Sequence, residues 1–149
     1  MSAYPDTSFL CALYRTQDNS DRALAYRAGM NGPLQVTKLL LWEFRQGVRF
    51  QAFRYRKGSG GFPMREAEKM IADVQEDIDL GLVQVLDCDF PSILVQAERL
   101  SKAHTFTNGH RSMDMLHIAT ALELQATDFL TFDGNQKKLA EAEGMTVPF

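Results

Sequence analysis

The chain has 149 residues, of which 45% are hydrophobic and 23% charged, and its net charge is −3. That length fits one domain spanning residues 1–149 and able to bury a core, and the composition excludes a disordered chain. The weak acidity excludes a molecule whose whole surface attracts polyanions, and no apolar run nears the ~20 residues of a membrane span.

The N-terminus lacks the basic start and apolar core of a secretory signal. Cys11 and Cys88 stand far apart without CxxC spacing, which argues against a zinc site and against a disulfide framework. Together these features predict a cytoplasmic protein.

In chain order, residues 2–5 read as a short first strand that Pro5 must end, because proline cannot donate to a ladder. Asp6 follows, and Thr7 to Arg15 has helical apolar spacing through Phe9, Leu10, Leu13 and Tyr14. Asp18-Asn19-Ser20 breaks that helix and caps the next, Asp21 to Ala28, which Gly29 stops. After the Asn31-Gly32-Pro33 turn, Leu34 to Thr37 is a strand, and Thr37 caps a helix from Lys38 to about Phe53 that carries Glu43 in its second turn.

Gly58-Ser59-Gly60-Gly61 reads as a flexible break inside the domain. Pro63 opens a helix to about Leu80 with Met64, Ala67, Ile71, Val74 and Ile78 as its stripe. Leu82 to Leu86 is a strand, Phe90-Pro91 starts a helix through about Lys102, and Phe106 to Arg111 is polar loop. Ser112 caps a helix from Met113 to Gln125. Phe129 to Phe132 is a strand, Asp133-Gly134 a turn, Asn135 to Glu143 a helix, and Met145 to Val147 a last strand. Alternation of this kind predicts an α/β domain with a mostly parallel sheet and helices on both faces.

In such sheets ligands sit outside the carboxyl ends of the strands. Asp6 and Asp133 both fall at strand ends. Asp114 lies in the first turn of a helix so apolar, Met115-Leu116-His117-Ile118-Ala119, that a carboxylate at its head is costly unless paired or metal-bound. Glu43 follows an apolar turn next to a strand end. Carboxylates gathered at one edge repel each other unless protons or cations neutralise them. Mg²⁺ and Mn²⁺ prefer oxygen ligands, and one or two such ions activate water against a phosphodiester. Singly, each acid has an ordinary structural explanation, as an N-cap or a helix-dipole partner; the joint pattern points to a nuclease. Asp128 competes with Asp133, but it precedes its strand and so belongs to the opposite end of the sheet.

The combination Pro5-Asp6-Thr7-Ser8, Trp42-Glu43, Arg111-Ser112-Met113-Asp114-Met115-Leu116-His117-Ile118-Ala119 and Leu130-Thr131-Phe132-Asp133 resembles the PIN-domain family, in particular the VapC-type toxins of bacterial toxin–antitoxin pairs. The resemblance implies a three-layer α/β/α sandwich and an endoribonuclease dependent on Mg²⁺ or Mn²⁺. It implies Asp6, Glu43, Asp114 and Asp133 as the catalytic and metal-binding acids, with Ser8 and Thr131 in the positions where the family places hydroxyls beside them. It also implies a homodimer and a cognate antitoxin. Arg111, Ser112 and His117 stand near Asp114 as supporting candidates, with His117 read as a core or supporting imidazole ahead of a metal ligand.

From Arg45 to Lys57 there are five cations (Arg45, Arg49, Arg54, Arg56, Lys57) and no acid, with Phe50, Phe53 and Tyr55 interleaved. This segment is read either as a clamp for RNA backbone and bases or as a solvated helix face with its aromatics packed inward. The resemblance adds antitoxin docking as a third use. No glycine motif marks a P-loop or Rossmann site. The rival functions are a non-catalytic interaction module of the same fold and a structure-specific DNase.

Overall fold

The computed structural model describes residues 1–149. The elements run β1 (Ala3–Pro5), α1 (Thr7–Tyr14), α2 (Ser20–Gly29), β2 (Leu34–Thr37), α3 (Lys38–Arg56), α4 (Met64–Asp79), β3 (Val83–Leu86), α5 (Phe90–Leu100), a π-helical turn (Ser101–Thr105), α6 (Phe106–Asn108), α7 (Ser112–Glu123), β4 (Asp128–Leu130) and α8 (Gly134–Ala142). They fall into two compact units, one of Met1–Ser8 with Asp87–Phe149 and one of Phe9–Leu86. No helix is long and apolar enough to cross a membrane. Both cysteines are free.

In the first unit β1 pairs with β4 in parallel, Ala3 with Asp128, Tyr4 with Phe129 and Pro5 with Leu130. Parallel pairing of strands this distant in sequence needs a long crossover, and such strands are buried on both faces. All three β1 residues are buried accordingly. Tyr4 and Phe129 stack with ring centroids 5.8 Å apart, in a core with Ile93, Leu100, Ile118 and Leu139. The helix α7 is buried almost all round, as its lack of a polar face predicts.

Several boundaries differ from the sequence reading, for local reasons. The segment from Phe106 is helical to Asn108, because the chain leaves α5 through a wider π turn and does not uncoil until Gly109 adopts φ +67°. At the head of α7 the cap position is Arg111 and no side chain caps it, so Ser112 is the first helical residue. The last expected strand reduces to one bridge, Asp128 with Thr146.

In the second unit β2 pairs with β3 in parallel, from Leu34 with Val83 to Thr37 with Leu86. Thr37 caps α3 as expected, its hydroxyl oxygen accepting from the Leu40 amide at 3.2 Å. The long helices α3 and α4 pack together over Phe44, Val48, Ala67, Met70 and Val74. Met64 is 66% exposed, so the buried stripe of α4 passes through Met70 and leaves the expected Met64 outside. Tyr14 donates to Asp77 Oδ2 at 2.7 Å; burial first, and that carboxylate second, push its phenol far above the usual tyrosine range, so it stays a donor.

The glycine stretch after α3 is a fixed turn. Arg54 donates to the Ser59 carbonyl at 2.7 Å, and Gly61 sits at φ +80° with its Cα against the Gln51 carbonyl. A Cβ there would lie 2.1 Å from that oxygen. Gly61→Ala should therefore destabilise the protein by on the order of 3 kcal/mol, read as a lower urea midpoint at unchanged slope.

Candidate functional site

The site is built where β1 and β4 end side by side. The Asp6 amide donates to the Leu130 carbonyl at 3.0 Å, which carries the ladder one residue past the strands and sets Asp6 beside Thr131. The Asp6 side chain is 1% exposed. Its Oδ1 accepts from the Ser8 hydroxyl at 2.6 Å; its Oδ2 accepts from the Thr131 hydroxyl at 2.5 Å and from Gln136 Nε2 at 3.0 Å.

The two hydroxyls have little rotational choice. Ser8 Oγ accepts the Phe132 amide at 2.8 Å, and Thr131 Oγ1 accepts the Asp133 amide at 2.9 Å. With a lone pair of each oxygen engaged by a backbone donor, the hydroxyl protons turn to Asp6. The result is one buried carboxylate oriented by three neutral donors, Ser8 from α1, Thr131 from the β4–α8 connection and Gln136 from α8.

Asp133 is exposed and serves the fold directly. Its Oδ1 caps α8, accepting from the amides of Asn135 and Gln136, both at 2.9 Å. The cap fixes the first turn of α8 and so aims Gln136 at Asp6. Asp128 lies at the far end of β4, opposite Ala3, so of the two competing acids Asp133 is the one on Asp6's side of the sheet.

Asp114 is half-buried in the first turn of α7, where the helix dipole favours a carboxylate. His117 is fully buried, with Nδ1 2.9 Å from the Tyr4 hydroxyl, so the imidazole is bonded into the core. Arg111 and Ser112 are exposed at the head of α7. Glu43, half-buried in the second turn of α3, belongs to the other unit. Within the Asp6 unit, no group of three or more His, Cys, Asp or Glu has metal-holding geometry.

Gln136 escapes the sequence reading. Its signal is Asp133-Gly134-Asn135-Gln136, the spacing of a capping box, which points to a purely local role. Here the Gln turns to Asp6, since Thr131 already takes the Asp133 amide. Its own Oε1 is buried and without a partner.

Of the two readings of the basic segment, the one with inward-packed aromatics fails. Phe50, Phe53 and Tyr55 are 52%, 46% and 53% exposed, so they do not pack inward. Between α3 and α4 lies a groove of about 1270 Å³, lined by Arg45, Arg49, Phe53, Arg56, Met64 and Ile71 among others. Arg54 is spent on the glycine turn, and Lys57 sits 6.0 Å from the Phe53 ring centroid. Trp42 is 58% exposed.

The sequence matches the PIN domain over residues 3–142. The chain belongs to the PIN-domain family. PIN domains of the VapC kind are nucleases. No curated protein sequence matches this PIN domain. Among solved structures it is similar to VapC20 of Mycobacterium tuberculosis, a sarcin–ricin-loop-cleaving toxin, at 19% identity and TM-score 0.68, with 97% of each chain covered. It is also similar to VapBC-1 of nontypeable Haemophilus influenzae, at 14% identity and TM-score 0.62 over 99% of this chain and 96% of that one. FitAcB of Neisseria gonorrhoeae matches at 16% identity and TM-score 0.60, over 97% and 95%. At these identities the likeness is one of fold, and the parallel strand pairs of this PIN domain agree with it.

Proposed function

We propose that this PIN domain, a single domain over residues 1–149, is a metal-dependent endoribonuclease, the toxin of a type II toxin–antitoxin pair acting in the cytoplasm as a homodimer. The observation that carries the reading is the Asp6 carboxylate, buried at the strand ends and aimed by Ser8, Thr131 and Gln136. Burying a carboxylate beside an unsatisfied amide oxygen, Gln136 Oε1, is costly in a purely structural role. A hard cation with its waters would balance the Asp6 charge and give the Gln136 oxygen a donor.

Mg²⁺ is commonly held by one or two carboxylates and completes its shell with water, so a three-acid cage is not required. Asp6 with Asp114 and Asp133 are the proposed ligands within their unit, and Glu43 is the fourth acid that the family resemblance implies. Such an ion, when bound, supplies an activated water and charge stabilisation at the phosphodiester. The chain's own part is to fix Asp6 against rotation and to keep α8 in register through the Asp133 cap. The groove of Arg45, Arg49, Arg56, Phe53 and Met64 suits an acidic, apolar segment of an antitoxin. Solved relatives of this fold include toxin–antitoxin complexes, which supports such a partner.

A non-catalytic module of the same fold is favoured by one observation, the lack of three converging acids in the Asp6 unit. Purified protein given RNA and Mn²⁺ separates the two. Internal cuts, slowed at least about tenfold in Asp114→Asn, support the nuclease. Binding without cutting by the wild type supports the module.

A further inference from the structure

A polar cavity lies in the same unit as Asp6, against α8. It measures about 280 Å³ and lies between the π turn with α6 on one side and α8 on the other; its polar lining is His104, Thr107, Asn108, His110, Asn135 and Lys138. Asn135 is the residue before Gln136, so the cavity and the Asp6 carboxylate share the first turn of α8.

Both ring nitrogens of His110 are buried, and neither has a hydrogen-bond partner. Every tautomer of imidazole carries at least one N–H, so the cavity holds a buried donor with nothing to donate to. Native structures seldom leave such a group unused. The rings of His104 and His110 meet edge to face with centroids 6.5 Å apart.

His104 is itself held. Its Nε2 is 2.7 Å from Glu143 Oε1, and Arg99 Nη2 is 2.6 Å from Oε2 of the same carboxylate. The Arg99 hydrogen bond keeps Glu143 below the usual carboxylate range, against its burial, with His104 adding to the effect. The one acid beside the cavity is therefore neutralised by its own partners. Every other polar group lining the cavity can donate: the His110 N–H, the Lys138 ammonium, the Asn108 and Asn135 NH₂ groups and the Thr107 hydroxyl. Neither Lys138 nor the Thr107, Asn108 and Asn135 side chains are bonded elsewhere. No third ligand joins the two histidines in metal-holding geometry. Convergent donors with a cation, in a space below the ~300 Å³ of an ordinary small-molecule site, suit a single phosphate group.

We infer that the cavity of His110, Lys138, Asn108 and Asn135 binds one phosphodiester of the RNA strand whose cleavage is assigned to Asp6. This rests on the reading of the chain as a ribonuclease. The cavity touches no reacting atom in that reading; it holds the strand in register along α8.

The test uses the full chain and two probes. Inorganic phosphate is titrated while the His110 Cε1–H resonance is followed by NMR. A fluorescein-labelled single-stranded RNA of about ten nucleotides is then bound in EDTA, so that the strand stays whole. The expected result is a saturable His110 shift that Lys138→Gln weakens. RNA affinity should also fall on the order of fivefold in Lys138→Gln, with the log–log salt slope smaller by about 0.7. Lys138 is exposed, so Lys138→Gln reports on binding even where His110→Ala disturbs folding.

A His110 resonance indifferent to phosphate overturns the site. A phosphate shift combined with unchanged RNA affinity in Lys138→Gln overturns the RNA assignment and leaves a small-anion site. Should wild-type protein bind RNA through this cavity yet never cut it, the phosphodiester site stands as an RNA contact and the nuclease reading fails.

Discussion

Asp6→Asn should abolish metal-dependent RNA cleavage while leaving the protein folded, whereas Asp6→Ala should cost both. The amide keeps one acceptor oxygen but loses the charge a cation requires. A metal at a phosphodiester contributes several kcal/mol of transition-state stabilisation, and each 1.36 kcal/mol is tenfold, so the loss should reach about 10³-fold. The surrounding donors decide which way the amide turns. Facing Gln136 Nε2 and Thr131 Oγ1 it would set donor against donor, so its NH₂ must take the Oδ1 position beside Ser8. There Ser8 must give up its donation, at a cost of about 1–2 kcal/mol. Alanine instead orphans two hydroxyls and an amide in a site that is 1% exposed. About 3–5 kcal/mol of destabilisation follows, read as a fall in the melting temperature of roughly 10 °C for a chain of this size. Paired thermal melts and RNA-cleavage rates on the two variants measure both effects. An Asp6→Asn protein that cuts RNA at the wild-type rate would remove Asp6 from the chemistry.

The parts of this arrangement that were legible in the sequence are those set by near neighbours. Pro5 ends a strand because it has no amide to offer, and the residue after it must turn toward the strand's carboxyl edge; Asp6 does. Thr37 caps α3 because a hydroxyl before an apolar helical run has little else to bond. The apolar circumference of α7 announces burial, and the structure buries it.

What the sequence does not carry is pairing between distant residues. Nothing near Gln136 says that its amide reaches a residue 130 positions earlier, and the capping-box spacing around it points elsewhere. The His104–Glu143 pair and the empty-handed His110 are hidden for the same reason. Phe50, Phe53 and Tyr55 could be read as outward stacking rings or as inward-packed ones, and periodicity in one helix cannot choose; all three are exposed, and Phe53 and Tyr55 line the groove between α3 and α4. Asp133 was legible as a strand-end acid and equally as an N-cap, and its Oδ1 is occupied by the cap.

Removing divalent metal should stop RNA cleavage without unfolding the protein. In a structural zinc site the ion supplies folding free energy, and chelation denatures the domain. Here the groups that would meet the ion are already satisfied by the chain: Asp6 by three donors and Asp133 Oδ1 by two amides. The fold therefore does not wait for a cation, and EDTA should leave the melting temperature where it stands for the metal-free chain. Added Mn²⁺ or Mg²⁺ should raise it, because an ion that binds only the folded state stabilises by about 2.7 kcal/mol at a hundred times its Kd, or roughly 5–10 °C here. The rise should shrink in Asp114→Asn and vanish in Asp6→Asn, and cleavage should return when Mn²⁺ is added back in excess of the chelator. A protein that cuts RNA in EDTA, and whose melt ignores both ions, would leave the buried carboxylate a purely structural group.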